Sequence, residues 1–148
     1  MKKNLLTFLC VSISFWHHAQ ELPPIRNFSP HQFAAENQNW DIAQSEERLI
    51  YVANNSGLLE YNGANWRLFP SPNQTIIRSV AVSEDRVYSG CYREFGYWEK
   101  DSFGNLNYTS LSNNIRNKLL EDEEFWSIAL VPVYPNNSVG IYSDDSQA

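Results

Sequence analysis

The sequence predicts an all-β chain built from a four-stranded antiparallel unit that repeats, and three observations carry the prediction. Trp40 to Phe69 divides into four short strand-like runs, 40–45, 49–53, 58–61 and 66–69, each separated from the next by turn-forming residues. The same order of features returns over Arg78 to Leu111 and starts again near Trp126, at a spacing of roughly 40 to 50 residues. Aromatic residues make up 14% of the 148 residues, with five Trp, eight Tyr and eight Phe, and flat rings suit pleated surfaces. Four-stranded units at this period are the signature of β-propeller blades. The expected architecture is an incomplete propeller: blade one over 40–69, blade two over 78–111, and the start of a third over 125–131.

Residues 1–20 read as a signal peptide. Lys2 and Lys3 supply the positive start, Leu5 to Trp16 the mostly apolar stretch, and Ala19 the small residue at the cut. A lipid anchor on Cys10 is disfavoured, because Thr7-Phe8-Leu9 lacks small residues before the cysteine and the apolar run continues beyond it. Export leaves a chain with one cysteine, Cys91, and one histidine, His31. Such a chain forms no internal disulfide and depends on packing, with Cys91 expected as a small buried hydrophobe.

Residues 21–39 form an extended connector, because Pro23, Pro24 and Pro30 restrict the backbone and refuse ladder bonds. One helical turn is expected over 31–36, capped by Ser29. In the first blade, Ser45-Glu46-Glu47-Arg48 is a polar turn and Asn54-Asn55-Ser56-Gly57 is rich in residues that tolerate positive φ. Asn62-Gly63 is a strong hairpin signal. Leu49 to Ala53 is continuously apolar, as expected of a strand covered on both faces.

The second unit echoes the first. Ser83-Glu84-Asp85-Arg86-Val87-Tyr88 answers Ser45 to Tyr51, and Phe95 to Trp98 answers Leu58 to Tyr61. Its third connection, Lys100 to Asn105, is longer, and length differences of this kind fall in loops at one rim of a repeat array. Glu121 to Glu124 is expected as a solvated face and not a metal site, since calcium loops space their ligands and include a glycine. Trp126 to Ala129 repeats Trp40 to Ala43, but the prolines at 132 and 135 break the pattern. Residues 132–148 are expected as an irregular tail with no second strand, and truncation or a frame shift would account for it.

Leu49 to Gly63 and Gly90 to Trp98 together resemble the two-component regulator propeller repeat. The resemblance covers roughly Pro23 to Ile128. It implies the N-terminal part of the periplasmic domain of a bacterial sensor-regulator, whose triple-tyrosine, membrane-helix and helix-turn-helix modules have no counterpart in this sequence. It also implies a glycan or other small periplasmic ligand.

The functional expectation is a non-enzymatic ligand-sensing module with Tyr92, Arg93 and Trp98 as contact residues, since aromatic faces and a guanidinium suit sugars and carboxylates. No cofactor or metal is expected. The net charge of -6 and the 19% of charged residues disfavour nucleic-acid and anionic-membrane binding, and no membrane span is expected beyond the leader. Two alternatives stand beside this reading. A non-functional remnant or protein-interaction module would self-associate through uncovered blade edges. A carbohydrate-active propeller enzyme would need paired carboxylates, and Glu60, Glu94 and Asp41 have no partner identifiable in sequence.

Overall fold

The computed structural model describes residues 23–130 and 140–142. The expected leader and most of the expected tail lie outside the described residues. Sheet one contains β1 (Asn39–Gln44), β2 (Ile50–Asn54), β3 (Gly57–Tyr61) and β4 (Trp66–Pro70), paired antiparallel in chain order. Sheet two repeats this with β5 (Ser79–Ser83), β6 (Arg86–Cys91), β7 (Glu94–Lys100) and β8 (Leu106–Ser110). The molecule is therefore mostly β, and neither sheet closes on itself.

The turns follow from their residues. Asn62 Oδ1 accepts the backbone N–H groups of Ala64 (3.0 Å) and Asn65 (2.8 Å), folding the β3–β4 turn. Gly57 has φ of 145°, and a Cβ there would lie 2.2 Å from the Phe69 carbonyl oxygen, so only glycine lets β3 meet β4.

The uniformly apolar β2 is explained by cover on both sides. Tyr51 and Ala53, with Leu58 of β3, face sheet two and pack with Val80, Val87, Cys91, Trp98 and Leu106. Val52 and Leu59 point the opposite way, where the connector covers them with Phe33. Phe28 stands edge-on to Tyr61 (5.0 Å) and Trp66 (5.3 Å). Each fully buried large apolar side chain contributes about 1.5–3 kcal/mol.

The connector is thus a lid as well as a lead-in. It contains a one-turn helix, α1 (Pro30–Phe33), shorter than the expected 31–36 because Ala34 turns left-handed at φ of 53°. Ser29 precedes it, and the Gln32 side chain accepts the Ser29 N–H at 2.8 Å.

The third unit begins with β9 (Ser127–Ala129), which pairs with β10 (Gly140–Tyr142). A second strand therefore exists within the stretch expected to be irregular. Three residues are too few to show alternation in a sequence, and the partner strand supplies the order. The first strands of the units lie side by side, β1 against β5 and β5 against β9. The Val80 N–H donates to Asp41 Oδ2 (2.9 Å) across the first junction, and Ser79 Oγ to the Phe125 carbonyl (2.7 Å) across the second.

Candidate functional site

Each unit places one residue at the same repeat position, at the start of its first strand or just ahead of it: Trp40, the second residue of β1, Arg78 before β5 and Trp126 before β9. Because those strands are neighbours, the three side chains meet. The Arg78 guanidinium carbon lies 4.1 Å from the Trp40 ring centroid and 4.4 Å from that of Trp126. The two indoles stand edge to face, with centroids 5.7 Å apart. Glu124 completes the cluster, 3.2 Å from Arg78 Nε and accepting from Nη2 at 3.3 Å. Trp40 Nε1 donates to Asn55 Oδ1 (2.8 Å), which fixes its ring. A cation between two indole faces gains from both ring quadrupoles, more so when withdrawn from water. Only 13% of the Arg78 side chain is exposed, whereas Trp40 is 36% and Trp126 46% exposed.

A cleft of about 420 Å³ opens beside this cluster, bordered by Glu36, Asn55, Gln74, Thr75, Tyr92 and Glu124. Its walls are braced from behind. Glu36 Oε2 accepts from Asn55 Nδ2 (2.8 Å), Asn73 Oδ1 from Thr75 Oγ1 (2.6 Å), and the Tyr92 carbonyl from Asn73 Nδ2 (2.8 Å). Buried Asn54 donates through Nδ2 to the carbonyls of Glu36 (2.7 Å) and Gln38 (2.9 Å), holding the connector against the β2–β3 turn. The result is a polar, braced cleft with the half-exposed Tyr92 ring in its wall and the Trp40–Arg78–Trp126 cluster next to it through Asn55 and Glu124, able to take a ligand by hydrogen bonding and ring stacking.

The three residues expected from sequence separate. Tyr92, 39% exposed, borders the cleft, and its hydroxyl donates to the Glu121 carbonyl. Arg93 occupies the β6–β7 turn at φ of 51°. Its N–H donates to the Glu123 carbonyl (2.8 Å) and its Nη2 to that of Arg116 (3.3 Å). Both residues dock the link that leads into the third unit. Trp98 sits at the other end of the hairpin, opposite Val87, and is 4% exposed. Its indole donates to Ser89 Oγ (2.8 Å) and packs against Phe69 and Tyr108. No face of the ring is open to a ligand, so Trp98 belongs to the inter-sheet core. The sequence signal for Trp40, Arg78 and Trp126 was their shared repeat position, which shows its meaning only once the first strands are adjacent.

The carboxylates singled out in the sequence are held in place. Glu60 is buried, accepts from the Tyr51 hydroxyl (3.1 Å), and pairs with Lys100 (3.5 Å) and Arg67 (3.6 Å). Glu94 is buried, accepts from Tyr108 (2.9 Å) and Ser110 (2.6 Å), and pairs with Arg116. Burial, and then the neighbouring glutamate, raises the hydroxyl pKa of Tyr51 and of Tyr108. A second, larger cleft of about 700 Å³ lies between the β1–β2 and β5–β6 turns. Of the charged groups that line it, Glu47 pairs with Lys100 (3.8 Å), and Glu99 pairs with Arg86 outside it (2.7 Å). Among the described residues, no group of His, Cys, Asp and Glu is placed to hold a metal ion, and no helix is long and apolar enough to cross a membrane.

No family model, curated protein or solved structure matches this chain.

Proposed function

We propose that the chain is a non-enzymatic ligand-binding module, the propeller-type sensing part of an exported, periplasmic sensor-regulator. Its ligand is a glycan or glycan-derived molecule seated on the rim formed by Trp40, Trp126 and the adjoining cleft. Successive four-stranded meanders whose first strands are neighbours support the propeller reading. One observation carries the binding reading: two half-exposed indoles packed on Arg78 lie next to Asn55 and Glu124, which line a polar cleft braced by hydrogen bonds. Indole faces stack on the apolar faces of sugar rings while amides and carboxylates take the hydroxyls. The ion-paired states of Glu60 and Glu94 support a role without catalysis, because glycoside hydrolysis needs two carboxylates free to face a substrate.

The test is tryptophan fluorescence titration of the whole chain against a panel of oligosaccharides. At least one oligosaccharide is expected to bind saturably, with affinity reduced tenfold or more by Trp126→Ala, consistent with about 1.4 kcal/mol or more for the lost ring. No saturable binding across the panel, or binding indifferent to Trp126→Ala, would overturn the reading.

A further inference from the structure

We propose that the ligand's anchoring group at this rim is an organic cation, an alkylammonium or guanidinium, and that Arg78 occupies its seat in cis. The proposal rests on the reading of the rim as the ligand site. The seat is the pair of indole faces 4.1 and 4.4 Å from the Arg78 guanidinium, with the Glu124 carboxylate beside them. Aromatic faces from two sides and one carboxylate form the recognition chemistry of an organic cation.

Arg78 fits this seat imperfectly. Its Nε and Nη1 are buried and have no hydrogen-bond acceptor, and Nε lies near Glu124 without pointing at it. A guanidinium carries five donors, and burying some unmet is unfavourable. An alkylammonium with fewer donors, or a guanidinium free of Arg78's tether, loses less there. The Arg78 backbone N–H donates to the Gly90 carbonyl (2.8 Å), so the main chain at the seat is tied to β6 independently of the Arg78 side chain. The cleft beside it is bordered by two carboxylates, Glu36 and Glu124, and by no lysine or arginine. An approaching cation is attracted and a uronate or sulfate repelled.

The experiment uses the whole chain carrying Arg78→Ala, titrated with methylguanidinium and with tetramethylammonium at ionic strength fixed by KCl. Tryptophan emission and melting temperature are followed. Saturable binding with a Kd on the order of 10 mM is expected. Binding should be at least tenfold weaker in the unsubstituted chain, where Arg78 competes, and tenfold weaker when Trp126→Ala or Glu124→Gln is added to Arg78→Ala. A folded Arg78→Ala chain that responds to these cations no more than to KCl would overturn the proposal. If that variant does not melt cooperatively, Arg78→Lys replaces it, with affinity between the other two expected and affinity equal to the unsubstituted chain overturning. A glucosamine tetramer and cellotetraose, each added to the unsubstituted chain, separate this proposal from the one it rests on. Equal binding of both sugars overturns the cation anchor and leaves the rim as a sugar site. Cation binding without binding of either sugar supports the seat and overturns the sugar reading.

Discussion

At the scale of single residues, the buried titratable groups set the behaviour of the fold in alkali. Burial first, opposed by a contact with Ser71 and aided by the Glu94 charge, pushes the Cys91 thiol from its ordinary 9.0 to about 12. Tyr51 and Tyr108 are raised as well, by burial first and then by the adjacent glutamates. All three hold their protons more tightly in the native state than in the unfolded chain. Their contribution to stability is therefore complete below about pH 9 and is lost as the pH rises, because the unfolded state releases protons first. Circular dichroism melts between pH 7 and 11 should show a melting temperature that falls above pH 9, with a shallower fall in Tyr108→Phe. A slope unchanged by that substitution would count against Tyr108 as a contributor. The same burial makes Cys91 inert. In a Cys10→Ser background at pH 8, iodoacetamide should modify the native protein at least about a hundredfold more slowly than the denatured one. Labelling at the rate of a free thiol would contradict the burial of Cys91 in the inter-sheet core.

At the scale of elements, the strands were legible because turn chemistry and apolar runs are local. Asn62-Gly63, the polar Ser45 to Arg48 turn and its echo at Ser83 to Arg86 mark the strand ends to within a residue or two. What escaped the sequence depends on contacts distant along the chain. The covering role of Phe28 and Phe33, the pairing of β10 with β9, and the partners of Glu60 and Glu94 arise only when separate segments meet. Trp98 shows the same limit: an aromatic residue near a turn reads equally well as a ligand contact or as core, and the register placing it opposite Val87 decides. Gly90 offers a test at this scale. A Cβ there would lie 2.6 Å from Phe125 Cβ and 2.7 Å from the Phe125 carbonyl oxygen. Ala53 holds the equivalent position in β2, where a methyl group packs against sheet two. Gly90→Ala should lift the third unit from sheet two at a cost of about 1–3 kcal/mol. Limited proteolysis should then cut faster between residues 113 and 124 while the two sheets persist. An unaltered cleavage pattern would show that Phe125 can shift without releasing β9.

At the scale of the whole molecule, the balance between monomer and assembly turns on the connector. The outer side of sheet one is covered, because Phe28 and Phe33 lie over Leu59 and Trp66. Substituting both phenylalanines by alanine should cost about 3–5 kcal/mol at buried Phe33 and less at half-buried Phe28, and expose an apolar sheet face. Light scattering at micromolar concentration should show the doubly substituted chain associating more than the parent chain. A double variant that melts like the parent and assembles no further would leave the connector without this role. The location of the connector has a geometric corollary. In any closed ring of such sheets, the last member must come to rest on the surface that these two phenylalanines occupy. The two claimants exclude one another, so the circle can be completed only after residues 23–36 have been displaced. In such a ring the opening stretch of the described chain would be a latch, its release deciding between open and shut.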